Sequence, residues 1–483
     1  MIKKLDLVWF YIISVIFIAV CVFSFAIDVP VAPFVPLVLI MLALGILSFD
    51  KFLLLIVFLV PVSIPVRDIG GGIGMNMPVE PMMALLAVGV VVKWLLSSSI
   101  DFRITKHPIS IAIIAYTLWL LITTITSSMP IVSGKFLIAH LWFVILFYFT
   151  ATQLFKKFNN IKAFIWCFTI SLSLFAAYTL VLHSQFSFDR YSAYTISRPV
   201  YPDHGIYGAT LAFIVPIIVA FIFYRRSLKI SYLATSFLTG FLLVLVLSIV
   251  FSYTRAAWLS LVAALGAAVI FWFKIKMRTI LLVMLGIIAV LIYKWPDIEQ
   301  SLSHNKQRSD DDLDDHLQSV YNISNDQSNL ERINRWNSAV NMFMERPVMG
   351  FGPGTYSFQY APYQNVKDRS LISTNAGDLG NAHSIYFGAL AETGFLGVIF
   401  IIGIFFITVA TGMRVIYKAT NNKVKGIAIG ALCGLITYIV HGALNNYNDF
   451  DKTAVLMWGF TAIITALDVF HLKKIEATNQ QNA

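Results

Sequence analysis

Three basic side chains stand where a charged substrate could be met at the edge of apolar helices. His383 lies in NAGDLGNAHSIYFGALAETGFLG, residues 375–397, where a polar, glycine-punctuated run passes directly into a membrane-length apolar stretch. Asn381 or Ser384 is placed to cap that helix. Either choice sets the imidazole in the first turn, where the positive end of the helix dipole disfavours the imidazolium. A neutral imidazole accepts a proton, so His383 is a candidate general base. Taken alone, a histidine at such a boundary reads as an interfacial polar residue. Its company argues otherwise. Arg255 in SYTRAAWLSL falls about one turn from an apolar helix, where charge is costly, and Arg198 in ISRPVYPDHGIYG precedes another such helix. By itself each reads as an interfacial or ion-paired arginine. An anionic ligand would account for both, because the guanidinium fork binds phosphate in a bidentate way.

The elements that must position these groups are membrane helices. The 483 residues are 58% hydrophobic and only 12% charged, with a mean hydropathy of +0.78, whereas soluble domains carry about 25% charged residues. Spans of about 20 apolar residues are expected near 8–27, 31–48, 52–66, 81–98, 109–127, 136–154, 162–182, 205–224, 231–252, 256–273, 279–294, 383–410, 424–443 and 453–471. The expected fold is therefore all-α and polytopic, with about 12–14 transmembrane helices. The third span is short and ends in PVSIPV, which suits a re-entrant segment. Alternating sides from a cytoplasmic N-terminus sorts twenty Lys and Arg onto one side and six onto the short connections of the other, as the positive-inside rule requires. The net charge of +10 is thus topological and gives no reason to invoke nucleic acid. Cys21, Cys167 and Cys433 fall inside apolar runs and read as core residues.

This topology divides the chain into a transmembrane bundle (1–294), a large extracytoplasmic loop (295–382) and C-terminal helices with a cytoplasmic tail (383–483). The loop opens with SLSHNKQRSDDDLDDHLQSVYN, whose aspartates fail the EF-hand spacing because Asp315 stands at the glycine position and Tyr321 at the final glutamate. Residues 329–345 place Ile333, Trp336, Val340 and Phe343 at helical spacing, predicting an amphipathic helix with that stripe on the bundle or the membrane surface. Pro347 ends it. GFGPG at 350–354 lacks the lysine and preceding strand of a phosphate loop and reads as a turn. His441 and NNYNDFDK add polar groups on the same side, read as a hydrophilic loop.

ERINRWNSAVNMFMERPVMGFGPGTYSFQY followed by NAHSIYFGALAETGFLG resembles the signature region of the O-antigen ligase and polymerase superfamily of bacterial membrane glycosyltransferases. Ser384 stands where that pattern usually has asparagine, with Asn381 two residues before the histidine; Tyr386, Glu392, Gly394 and Gly397 keep their places. SYTRAAWLSL and the Arg198 segment resemble two further, shorter motifs. The resemblance implies a GT-C-like architecture in the bacterial inner membrane. It also implies transfer of a glycan from an undecaprenyl-pyrophosphate carrier to an acceptor hydroxyl, such as lipid A-core, on the outer face. In that chemistry His383 is the base, and Arg198 with Arg255 clamps the diphosphate. Arg332, Arg335, Tyr386, Glu392 and Asn381 are secondary site residues, Glu392 more as a structural partner. No metal or other cofactor is expected, since arginines can supply the positive charge. A repeat-unit polymerase shares donor and chemistry and differs only in acceptor. A lipid-linked-oligosaccharide flippase is the rival of another class, but transporters usually carry repeated halves with broken helices near the midplane, and the polar residues here gather at one face.

Overall fold

The computed structural model describes residues 48–66, 75–97, 101–303, 327–365, 373, 380–447 and 450–472. The first two expected spans, Cys21, most of the acidic stretch and both chain ends lie outside the described residues. The described helices are α1 (Phe49–Leu59), α2 (Val79–Ser97), α3 (Pro108–Ile125), α4 (Pro130–Leu154), α5 (Phe158–Ser184), α6 (His204–Phe223), α7 (Tyr232–Phe251), α8 (Arg255–Trp272), α9 (Met277–Ser303), α10 (Gln327–Glu345), α11 (Ile385–Lys418), α12 (Asn422–Leu444) and α13 (Asp451–Leu472). Ten of them, α2–α8 and α11–α13, are long and apolar enough to cross a membrane. The chain is an all-α polytopic membrane protein.

α13 forms the centre of the bundle. Nearly every residue along it is buried, the pattern of a helix that is apolar all round. Its threonines bond to its own or adjoining backbone, Thr461 to Met457 O and Thr465 to Thr461 O. At its first turn the buried Lys452 Nζ meets Ser63 Oγ at 2.7 Å and Asp451 Oδ1 at 3.2 Å, and Ser63 Oγ donates to Asp451 Oδ2 at 2.6 Å. At its far end Asp468 accepts from Arg414 at 2.6 Å and lies 3.2 Å from His107 Nε2. Arg103 and Lys156 stack over Phe470, Lys423 lies over Phe158, and Lys162 reaches Leu228 O. Residues sorted to the lysine-rich side by sequence therefore converge on one end of the bundle, here the basic end.

The short third span departs from expectation. α1 and its following turn, Val60–Val62, start beside Lys156 and Lys157 at the basic end and finish at Ser63 against Asp451 and Lys452. The segment runs through the bundle and is not re-entrant. An antiparallel pair of strands, Ile64–Val66 and Met75–Met77, then returns the chain to α2 at the same end. α9 continues to Ser303, nine residues beyond the boundary expected at 294.

α10 also turns differently from the expected stripe. Its buried face is Glu331, Asn334, Arg335, Ser338, Ala339 and Met342, while Val340 is exposed and Ile333, Trp336 and Phe343 are half-buried. Hydrogen bonding reverses the face, because buried polar groups cost little once paired. Arg335 Nε donates to Glu331 at 2.6 Å, Asn334 Nδ2 to Gln364 Oε1 at 2.8 Å, and Tyr356 OH to Arg335 O at 2.8 Å. Arg335 also lies 3.9 Å above the Tyr360 ring. Ala339 and Met342 then pack with Phe351, Tyr356, Tyr360, Ala382 and Ala391 in a small second core.

That core is fixed to the bundle at a break in α11. Gly394 has φ 67° and ψ −171° inside the helix, a conformation for which glycine is suited. The break frees backbone groups that the GFGPG turn takes up. Phe351 N donates to Ala391 O, Gly352 N to Glu392 O, and Phe395 N to Pro347 O, all within 2.8–3.0 Å. Glu392 Oε1 accepts from Tyr356 N at 3.0 Å, so this carboxylate holds the loop. Gly394→Ala, whose Cβ would run into Val348 O, should lower the unfolding temperature of detergent-solubilised protein by several degrees, from strain of about 1–3 kcal/mol. Gly403→Ala on the same helix, with open space around it, should leave the melting curve unchanged.

Candidate functional site

His383 sits just outside α11, not within its first turn. Ser384 is the cap, its Oγ accepting from Tyr386 N and Phe387 N. His383 itself adopts φ 47°, a left-handed conformation that L residues hold only under local constraint. Three hydrogen bonds from two side chains supply that constraint. Asn381 Oδ1 accepts from His383 N at 2.9 Å, Asn381 Nδ2 donates to Asn446 O at 3.3 Å, and Trp336 Nε1 donates to His383 O at 3.4 Å. The Trp336 ring stacks on Phe387 at 5.3 Å. Asn381 is thus a backbone clamp for the histidine.

The imidazole has one oriented and one unengaged nitrogen. It hydrogen-bonds the Asn445 side chain, while Nδ1 has no partner among the described residues. The bond therefore falls on Nε2. An Asn445 oxygen accepting from Nε2–H leaves the Nδ1 lone pair free to take a proton, the tautomer control that second-shell partners give catalytic histidines. A Cβ on Gly205, in the first turn of α6, would run into the Asn445 amide. Asn445 thus ties α12 to both α6 and the histidine. Sequence reasoning missed it; its only signal was membership of NNYND.

Cationic groups gather around this imidazole. Burial first, then the charges of Arg332 and Arg335, hold His383 down to about 4. Arg332 Nε donates to Leu444 O at 3.2 Å, and burial lowers its guanidinium below the ordinary value. Arg332 and Arg190 act in turn on Arg255, beside Tyr194. Thr254, the residue before Arg255, bonds His204 O at 3.0 Å, and the His204 ring meets Tyr194 edge-on at 4.4 Å. Nearby acids have other duties. Glu331 pairs with Arg335 and accepts from Ser373, and Asp203 caps α6 by accepting from Ile206 N.

Arg332 therefore lies within electrostatic reach of both Arg255 and His383. Arg198 is exposed, its Nε donating to Pro202 O at 3.0 Å and its charge acting on Asp203. Arg335 is spent in the loop core, though its field reaches His383. Tyr386 OH donates to Ile439 O at 3.1 Å, joining α11 to α12. Among the described residues no group of three His, Cys, Asp or Glu is gathered to hold a metal ion. An apolar cavity of about 480 Å³ between α6, α8 and α12, lined by Val215, Phe223, Leu261 and Phe271, lies toward the basic end of these helices, away from His383.

Residues 240–402 match the family described as O-antigen ligase. Over that stretch, about a third of the chain, the protein is similar to this family, which supports the resemblance to the O-antigen ligase and polymerase superfamily. The matched segment runs from α7 into α11 and includes Arg255, Arg332, Asn381, His383 and Glu392. Arg198, His441 and Asn445 lie outside it. A search of curated proteins finds no match.

The depressed basicity of His383 sets the sign of a pH effect. Its neutral form predominates above about pH 4, so base-dependent transfer should persist to about pH 5 and fall as pH drops through 4. Arg332→Gln removes a cation that disfavours the imidazolium, so its acidic limb should move upward, toward the ordinary histidine value, in rate–pH profiles of purified protein. Asn445→Ala should cost about 10–100-fold in turnover, with Asn445→Gln recovering part of it.

Proposed function

We propose that this protein is an inverting, metal-independent ligase that moves a glycan from undecaprenyl pyrophosphate to an acceptor hydroxyl at the outer face of the bacterial inner membrane. The observation that carries the reading is a neutral, oriented His383 at the loop end of an apolar bundle, with Arg332 acting on both it and Arg255. Like charges brought this close repel, and a diphosphate relieves that repulsion. Positive-inside sorting puts this end outside.

The acceptor hydroxyl gives its proton to His383 Nδ1 as its oxygen attacks the anomeric carbon. The new carbon–oxygen bond forms while the bond from that carbon to the diphosphate oxygen breaks, and the electron pair leaves with undecaprenyl diphosphate. Arg255 and Arg332 stabilise the charge that develops on the leaving group. Arg198, at the exposed rim, meets the incoming diphosphate or its first sugar. Direct displacement inverts the anomeric configuration. A ligase acceptor, lipid A-core or another surface molecule, suits a large loop standing over the base.

A strain lacking the protein, complemented with wild type or His383→Ala, tests both chemistry and acceptor. Surface glycolipids and carrier-linked glycans would be resolved by gel and mass analysis. The deletion should leave a bare acceptor with long polymer on the carrier; an acceptor bearing single repeat units would mean a polymerase, and glycan held on the cytoplasmic face would mean a transporter. His383→Ala should reduce transfer by about 10²–10⁴-fold at unchanged expression, and Arg255→Ala should do likewise. Near-normal activity in His383→Ala would remove the base assignment.

A further inference from the structure

His441, in the last turn of α12, is 1% exposed, and neither ring nitrogen has a hydrogen-bond partner among the described residues. Leaving such nitrogens unpaired is costly in a protein interior, and most buried polar side chains avoid it. The ring is held edge-on to Tyr447 at 5.4 Å, a packing contact that leaves both nitrogens unsatisfied. An apolar residue would fill the same space at lower cost.

Its surroundings belong to the candidate site. Asn445, which orients His383, lies four residues further along, one turn away on the same face of α12. Arg332 bonds Leu444 O in that same turn, and the charges of Arg332 and His204 act on His441. α12 runs from the basic end toward the loop end, so His441 sits about 6 Å deeper in the bundle than Asn445. A lipid-linked donor enters this frame with its sugar outward and its tail in the membrane. With the anomeric carbon at His383, the phosphate nearest the lipid falls about one turn deeper.

Resting on the reading above, we propose that His441 is a substrate-binding residue whose ring N–H hydrogen-bonds the lipid-proximal phosphate of the diphosphate donor, beneath the base His383. Arg255 and Arg332 then hold the sugar-proximal phosphate, and His441 meets the phosphate that diphosphate and monophosphate carriers share. The orphaned nitrogens are thus a stability cost kept for binding.

The test measures affinity of purified protein in nanodiscs for undecaprenyl diphosphate and undecaprenyl monophosphate, with a melting curve for each variant. His441→Phe keeps the ring and removes the nitrogens. It should melt higher than wild type and lose about tenfold or more in affinity for the diphosphate and the monophosphate alike. His441→Gln, which retains a donor, should recover most of the diphosphate affinity. Unchanged diphosphate affinity in His441→Phe overturns the proposal and makes His441 a packing residue, and a loss confined to the diphosphate overturns the lipid-proximal assignment. Wild-type protein that fails to bind undecaprenyl diphosphate overturns the ligase reading and this inference with it.

Discussion

The break in α11 at Gly394 is the constraint on which the site depends. A continuous helix would bond its own carbonyls and leave the loop nothing to grip. With the helix interrupted, Ala391 and Glu392 present their oxygens to Phe351 and Gly352, and Phe395 N turns to Pro347 O. Loop and membrane helix become one backbone-bonded unit. α10, packed on that unit, then carries Arg332 to the end of α12 and Trp336 to the carbonyl of His383. Backbone bonds resist rotation better than a side-chain contact alone, so the cation and the base keep a fixed relation although 51 positions separate them in sequence.

Within that frame the site works by crowding charge. Arg332 suppresses protonation of His383 and shares its neighbourhood with Arg255. One arrangement therefore keeps His383 neutral and suits the proposed site to anions. The costs are visible in the left-handed backbone of His383 and in unpaired nitrogens on His383 and His441. Strain and unsatisfied polar groups of this kind cluster at functional sites because the surrounding structure holds them there.

Much of the architecture was legible from hydropathy. Span positions from α2 to α8 and from α11 to α13 follow the apolar runs, and basic residues sorted by alternation meet at one end of the bundle. Periodicity misled where polar residues satisfy one another: α10 buries Glu331, Asn334 and Arg335 because each has a partner, and no count of apolar residues anticipates that. α1 crosses in fewer residues than a membrane requires, since Ser63 is received by a buried ion pair. His383 and Arg255 were legible because charge beside an apolar run is conspicuous. Asn445 was not, because an asparagine in a polar loop carries no signal until the fold sets it against an imidazole.

The central place of α13 has a consequence for biogenesis. α1 to α12 leave the ribosome first, yet the surfaces that α5, α6 and α12 present inward have no partner until α13 enters among them. Gly459 is shaped to the Phe164 ring, and Thr465 meets Tyr148. The earlier helices can pair with one another before then, α6 and α8 both against α12, but their inward faces are completed only by α13, whose Lys452 is received by Ser63. Completion of this bundle is therefore a late closure, coupled to insertion of the helix that follows the loop's last connection.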